Sequence, residues 1–425
     1  MDVRTVADLS PAERHAFFER DAGVDAVRDD VTDIVERVRT EGDVALRAFS
    51  EEFDGVAVGN IDITDEAERA HEALADEADP VFEAVQDAAA NIRAFHERQR
   101  PADWRDDFGG RELGRRFRPI SRVGVYVPGG AAAYPSSALM GVIPAVVAGV
   151  DHVAVATPPA EDINPVTLAA IHEAGADAVY QVGGAQAIAA LAYGTETVTN
   201  AEKVVGPGNK WVTAAKAIVQ GDVEIDFLAG PSEVLVLADD SADPALVASE
   251  LVAQAEHDPN ASVVAVTDDG ALAEAIAAAV DEQAAERKRE ETIRAALDTD
   301  ASGVLHARSM PEAVLFTEEY AAEHLSIMAD DDEALLARIT NAGSVFLGSH
   351  SPVAAGDYAA GTNHVLPTNG GAKRYGGLSV DTFLRSSTVQ RLDHDGLEAI
   401  ADTITTLAEA EGLDAHAESV RKRFE

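Results

Sequence analysis

The stretch "RVGVYVPGGAAAYPSSALMGVIPAVVAGVDHVAVAT" (residues 122–157) holds the architecture of the chain in miniature. A β-branched run is followed by a glycine-rich turn, a helical segment of small residues, and a second β-branched run. Two such runs without polar alternation read as strands buried on both faces, and the helix between them is the crossover that parallel strands need. The pattern continues outward. "AVYQVG", "EKVVGPG" and "VEIDFLAG" extend it to about residue 230, and "EVLVLAD", "SVVAVT", "AVLFT" and "SVFLGS" form a second set, again alternating with helical stretches, to about 350. The fold class is therefore α/β, with two Rossmann-like domains built on parallel sheets. The first ~105 residues read as amphipathic helices, with Val31, Ile34, Val35 and Val38 at helical spacing. Beyond about 385 the chain reads as helical, with Leu397, Ile400, Ile404 and Leu407 on one stripe.

The 425 residues carry 33 basic and 76 acidic side chains, a net charge of −43, yet 46% of them are hydrophobic. An acidic disordered segment would lack that apolar content, so the charge belongs to the surface of a folded protein. Only six lysines occur. Such a surface is tolerable where salt screens it, because the Debye length falls to about 3 Å at 1 M, and the composition points to a halophile's cytosol. Nucleic acid and anionic membrane are excluded as partners for want of a basic stripe. The apolar run "LMGVIPAVVAGV" at 139–150 is too short to span a bilayer, and a cytoplasmic location is expected. With no cysteine in the chain, a zinc-type centre has to use nitrogen and oxygen ligands.

Four positions offer such ligands: Gln254 and His257 in "QAEH", Asp357 in "GDYAAGTNH", and His416 near the C-terminus. Asp243-Pro244 is a good helix start, and Val247, Leu251 and Gln254 then share one stripe. His257 is three residues on, so both it and Gln254 are able to face one atom. The alternative is a polar pair satisfied by hydrogen bonds in a crevice. Asp357 and His364 follow the "SVFLGS" strand, where open sheets place ligands, and otherwise form an Asx-type turn and a surface histidine. Glu323-His324 in "AAEHL", read as a helix start, supplies a carboxylate and an imidazole suited to proton transfer, or else is a solvated acidic patch. His416 by itself reads as a surface helix residue. "VYVPGGAAAYPSS" and "VVGPGNKWVTAAK" each follow a strand and open a helix, offering free backbone N–H groups to a phosphate, although neither fits G-x-G-x-x-G. "AGPSE" at 229–233 reads as an inter-domain turn with Ser232 free to bind a ligand.

Taken in order, "VGVYVPGG", "GGAQAIAALAYGT", "GPGNKWVTAAK", "IDFLAGPSE", "LVAQAEHD", "EHL", "GDYAAGTNHVLPT" and "EGLDAH" resemble the histidinol dehydrogenase family over about residues 120–416. The resemblance implies oxidation of L-histidinol through L-histidinal to L-histidine, with NAD and one zinc per active site. It implies Gln254, His257, Asp357 and His416 as zinc ligands and Glu323 and His324 as the acid/base pair. Ser232, His364 and Glu411 would contact substrate together with the zinc ligands and His324, and Tyr126, Gln186 and Asn209 would contact NAD. It further implies a homodimer whose C-terminal segment completes the partner's site. The corresponding segmentation is an arm at 1–20, a first α/β domain at 21–120 plus 232–375, a second on the NAD side at 121–231, and a helical tail at 376–425 reaching the partner. A zinc-dependent hydrolase and a non-catalytic small-molecule binding protein are the competing readings.

Overall fold

The computed structural model describes residues 1–18, 20, 23–129 and 133–425. The 122–157 stretch forms strand Arg122–Tyr126, helix Pro135–Ala148 and strand His152–Thr157, and the strands pair in parallel from Arg122↔His152 to Tyr126↔Ala156. Residues 130–132 of its glycine loop lie outside the described residues. Repetition of this unit gives a parallel five-stranded sheet in the spatial order Ala178–Gln181, His152–Thr157, Arg122–Tyr126, Lys203–Val205, Glu224–Ile225. In chain order these are the third, second, first, fourth and fifth strands. That winding reverses direction between Arg122–Tyr126 and Lys203–Val205, which opens a crevice at their carboxyl ends.

A six-stranded parallel sheet has the order Val3–Thr5, Gly303–His306, Ser262–Thr267, Glu233–Ala238, His324–Met328, Ser344–Leu347. Apart from the Val3–Thr5 edge, its winding repeats that of the first sheet. Successive side chains of Glu233–Ala238 enter opposite cores, Val234, Val236 and Ala238 one, Leu235 and Leu237 the other. Burial on both faces is why the sequence here shows an unbroken apolar run.

The expected stripe Val31, Ile34, Val35 and Val38 is buried in helix Arg28–Glu41. Its partners differ from the segmentation given above. Helices Arg28–Glu41, Thr64–Glu77 and Pro80–Glu97 pack on helices of the five-stranded sheet, and the apolar residues of Arg28–Glu41 share one cluster with Ile188, Leu191 and Val212, not with the 232–375 region. An apolar stripe says that a face is buried, not which sheet buries it. Two local expectations also change. "AVLFT" lies in helix Met310–Tyr320, while Gly303–His306 and His324–Met328 supply the strands. His324 therefore opens a strand, with Glu323 in the turn just before it, and neither starts a helix.

By contacts the chain forms two compact units, Met1–Gln99 with Ile120–Phe383, and Arg100–Pro119 with Leu384–Glu425. The second holds an antiparallel sheet in the order Leu384–Leu392, Arg111–Pro119, Trp104–Asp107, followed by helices His394–Ala410 and Asp414–Arg421. The region past 385 thus opens with a strand before it turns helical. Of the stripe on the longer helix, Leu397, Ile400 and Ile404 are only partly buried and Leu407 is 58% exposed. Among the described residues no helix is long and apolar enough to cross a membrane.

Candidate active site

Helix Met310–Tyr320 ends through Ala321 in the left-handed region (φ +53), and the turn delivers Glu323 and His324 to the start of the strand beside Glu233–Ala238. Both side chains are buried. Glu323 Oε2 accepts from the Glu233 backbone N–H at 2.8 Å, and His324 Nδ1 lies 3.0 Å from the Glu233 carbonyl oxygen. A carbonyl only accepts, so Nδ1 carries the proton and a neutral ring would present its lone pair at Nε2. Nε2 is buried without a hydrogen-bond partner, 3.5 Å from Asp357 Oδ1. The Glu233 side chain is held in turn by the Arg20 guanidinium at 2.6 and 3.0 Å and by the Asn369 N–H at 2.6 Å, with Arg20 lying 3.9 Å over the Tyr320 ring.

Burial raises the Glu323 pKa well above the usual carboxylate range, against the pull of the His324 charge. For His324 burial acts the other way, yet the neighbouring Glu323 and Asp357 carboxylates outweigh it and hold the imidazole protonated. Asp357 is lowered, because the His324 contact and the charges of His364 and His257 overcome its burial. Carboxylate, imidazole and carboxylate thus form one coupled proton-holding group.

Asp357 projects from the short helix Val353–Tyr358, and its carbonyl oxygen lies 2.9 Å from His364 Nδ1. Burial depresses the His364 pKa. Gln254 is buried near the end of helix Pro244–Ala255, on the expected stripe with Val247 and Leu251. The Asp243 side chain caps that helix by accepting from the Ala245 N–H at 2.8 Å, as the Asp-Pro pair implied. His257 follows one turn on, its N–H 3.2 Å from the Gln254 carbonyl oxygen. The charge of His257 is felt at Asp357, and an amide oxygen, an imidazole and a carboxylate are the donor types that a divalent cation of the zinc type accepts. The fourth expected ligand, His416, is exposed on helix Asp414–Arg421 of the second unit, and Glu411 is exposed at the end of helix His394–Ala410. Among the described residues the cluster of three His, Asp or Glu groups at coordinating distance is His394, Asp395 and Glu398, all exposed.

A cleft of about 1580 Å³ runs through the first unit, lined by Tyr126, Gln186 and Asn209 as well as Ser232, His257, Glu323 and His364. Its far part is the crevice of the five-stranded sheet. Tyr126 is buried and its hydroxyl oxygen accepts from the Gly184 N–H at 3.1 Å, just before Gln186 on helix Gly184–Tyr193. The Asn209 side chain caps helix Lys210–Val219, accepting from the N–H groups of Trp211 and Val212 at 3.0 and 3.3 Å. Gly206 has φ +115 and comes so close to the first loop that a Cβ would sit 2.2 Å from the Tyr126 carbonyl oxygen. The near part of the cleft reaches the amino ends of Glu233–Ala238 and His324–Met328. The expectation that ligands gather at carboxyl ends therefore suits the first sheet and not the second.

The histidinol dehydrogenase family model matches residues 19–424. The chain belongs to the histidinol dehydrogenase family. It is similar to the histidinol dehydrogenases of Haloarcula marismortui, 77% identical with all of both chains covered, and of Halobacterium salinarum, 72% identical over the same full extent. It is also similar to a crystal structure of histidinol dehydrogenase from Elizabethkingia anophelis, with a TM-score of 0.93 and 37% identity over 100% of this chain and 98% of that one. The α/β fold read from the sequence is that of the histidinol dehydrogenase family, and membership makes the chain an oxidoreductase. Three buried residues packed behind this site were not singled out in the sequence. Arg20 and Glu233 lie 213 positions apart, which only a folded chain brings together. Glu250 had a local signal, since it stands four residues before Gln254 on a helix whose same side is buried.

Proposed function

We propose that the chain oxidises L-histidinol through L-histidinal to L-histidine, with zinc and NAD, in a homodimer whose sites are shared between subunits. The observation that supports this reading is the single cleft joining Tyr126, Gln186 and Asn209 to His257, Glu323 and His364. A hydrolase has no use for the crevice half, and a simple binding protein has none for a buried carboxylate and imidazole in contact. NAD, when bound there, accepts one hydride in each oxidation: the alcohol yields aldehyde, NADH and a proton, and aldehyde plus water yields carboxylate, NADH and two protons. Zinc, held by Gln254, His257, Asp357 and His416 of the partner subunit, would supply a fixed positive charge that orients the substrate's imidazole and amine.

The protein's own groups divide the proton work. His324 takes the hydroxyl proton at Nε2, the buried nitrogen without a partner. Its protonated form rests on two carboxylates, and committing Asp357 to a cation removes part of that support, so the ring is free to act as a base. Glu323, whose raised pKa brings it toward neutrality, removes a proton from the water that adds to the aldehyde. Ser232 and His364 line the same cleft and bind substrate, together with Glu411 of the partner subunit.

The test is absorbance at the NADH band with histidinol, NAD and zinc in molar salt, where two NADH per histidinol are expected. Substrate cleavage without NADH would make the chain a hydrolase, and binding without turnover would make it a binding protein. Loss of turnover on chelation and its return with zinc complete the assignment.

A further inference from the structure

We propose that Glu250 is a positioning residue that clamps the two helices carrying Gln254 and Asp357, and so sets the geometry of the metal ligands. This inference rests on the proposed zinc reading. Helix Val353–Tyr358 begins after Pro352, which gives it no side-chain cap. Its first N–H, on buried Val353, would be left unpaired in an apolar setting. Glu250 Oε2 accepts that N–H at 2.9 Å from a side chain that is itself only 7% exposed. A carboxylate at a helix N-terminus is also favoured by the helix dipole.

The spacing gives this bond its leverage. Glu250 lies one helical turn before Gln254 on Pro244–Ala255, and Val353 lies one turn before Asp357 on Val353–Tyr358. One hydrogen bond therefore fixes both helices a single turn upstream of the ligand each carries. The second helix has only six residues, too short to hold a position by itself, so its tertiary anchors set it. At its other end the anchor is the contact of the Asp357 carbonyl with His364. Glu250 does not line the cleft, and neither do Gln254 and Asp357, the two residues whose helices it joins.

The experiment measures zinc affinity by competition with a chromophoric chelator on the purified full chain in molar salt, alongside the melting temperature of the metal-free protein. Glu250→Gln keeps an acceptor oxygen for the Val353 N–H and is expected to bind zinc within a few-fold of the parent chain. Glu250→Ala removes the clamp and is expected to lose roughly 10–100-fold, the usual effect of removing an outer support of a metal ligand. Val353→Pro approaches the bond from the other side, since proline at a first helical position fits the fixed φ and has no N–H, and Pro352 already has the extended ψ of 148° that a following proline requires. It is expected to weaken zinc binding as Glu250→Ala does, and it keeps the test alive should that variant not fold. Val247→Ala, a buried change on the same helix that leaves the clamp intact, should lower the melting temperature and leave zinc affinity unchanged.

Zinc affinity unaltered in both Glu250→Ala and Val353→Pro overturns the clamp. Equal losses in Glu250→Ala and Glu250→Gln also overturn it, because the effect would then belong to charge and not to position. A parent chain that binds no zinc at all would instead overturn the metal reading on which the clamp rests.

Discussion

Glu323 and His324 are adjacent in sequence and their side chains lie 3.6 Å apart, but they offer different atoms, a carboxylate held by the Glu233 N–H and an imidazole Nε2 without a partner, and the proposed mechanism gives each its own step. Glu323→Gln keeps the shape and the acceptor for the Glu233 N–H but not the base. It should slow oxidation of histidinal by about 10²–10⁴ while leaving the alcohol step much less affected. His324→Ala should impair the alcohol step as well. Single-turnover traces begun with histidinol or with histidinal separate the two, and equal slowing of both steps by Glu323→Gln refutes the division. A second residue has its own pH signature. Asp54 lines the cleft with Oδ2 buried and unpartnered, and burial pushes its pKa from 3.8 up to about 6. The folded protein then holds a proton more tightly than the unfolded chain, so this group favours the fold below about pH 4 and that contribution is lost as pH rises through 6. Asp54→Asn should accordingly be more stable than the parent chain at pH 8, by a margin that shrinks at pH 5. Denaturant unfolding of the metal-free protein at the two pH values measures it, and a margin independent of pH removes the carboxylate as its cause.

At the scale of elements, the crevice depends on two loops approaching at Gly206, where both the positive φ and the Tyr126 carbonyl exclude a side chain. Gly206→Ala should force the loops apart and raise the KM for NAD at least tenfold, with a smaller effect on that for histidinol, and steady-state kinetics with each substrate varied in turn would show whether it does. Much of this architecture was legible in the sequence. The runs at 122–127, 152–157 and 233–238 each begin with a polar residue and are then almost wholly apolar because both faces of each strand are covered. The misreadings share a physical cause. "AVLFT" is a short apolar run whose periodicity fits strand or helix alike, and Met310-Pro311 before it was the unread helix start. Leu384–Leu392 was missed because its side chains are largely exposed and polar, so no alternating apolar face marks it as a strand. Site residues were legible as side-chain types but not as neighbours. Nothing in the sequence puts Glu233 beneath His324, since parallel pairing of strands 91 residues apart makes that contact.

The whole molecule carries a charge of −43, and its self-repulsion should be relieved as salt is added. The melting temperature is therefore expected to rise from dilute buffer to molar salt, and a flat profile counts against a salt-adapted surface. Assembly gives the sharper test. His257 belongs to the first compact unit and His416 to the second, where His416 and Glu411 are exposed and the stripe ending at Leu407 is incompletely covered. In a dimer that exchanges its second units, each site would combine His257 of one chain with His416 of the other. Consider His257→Ala and His416→Ala chains, each inactive alone, unfolded together and refolded in equal amounts in molar salt. About half of the dimers are then mixed, and each mixed dimer has one site with both histidines intact and one with neither. Activity should recover to about a quarter of that of the parent protein, the product of those two halves. Were each chain to complete its own site, every site in every dimer would lack one ligand, and no activity would return. Mixed dimers verified by two different affinity tags yet devoid of activity would thus assign all four ligands to a single chain.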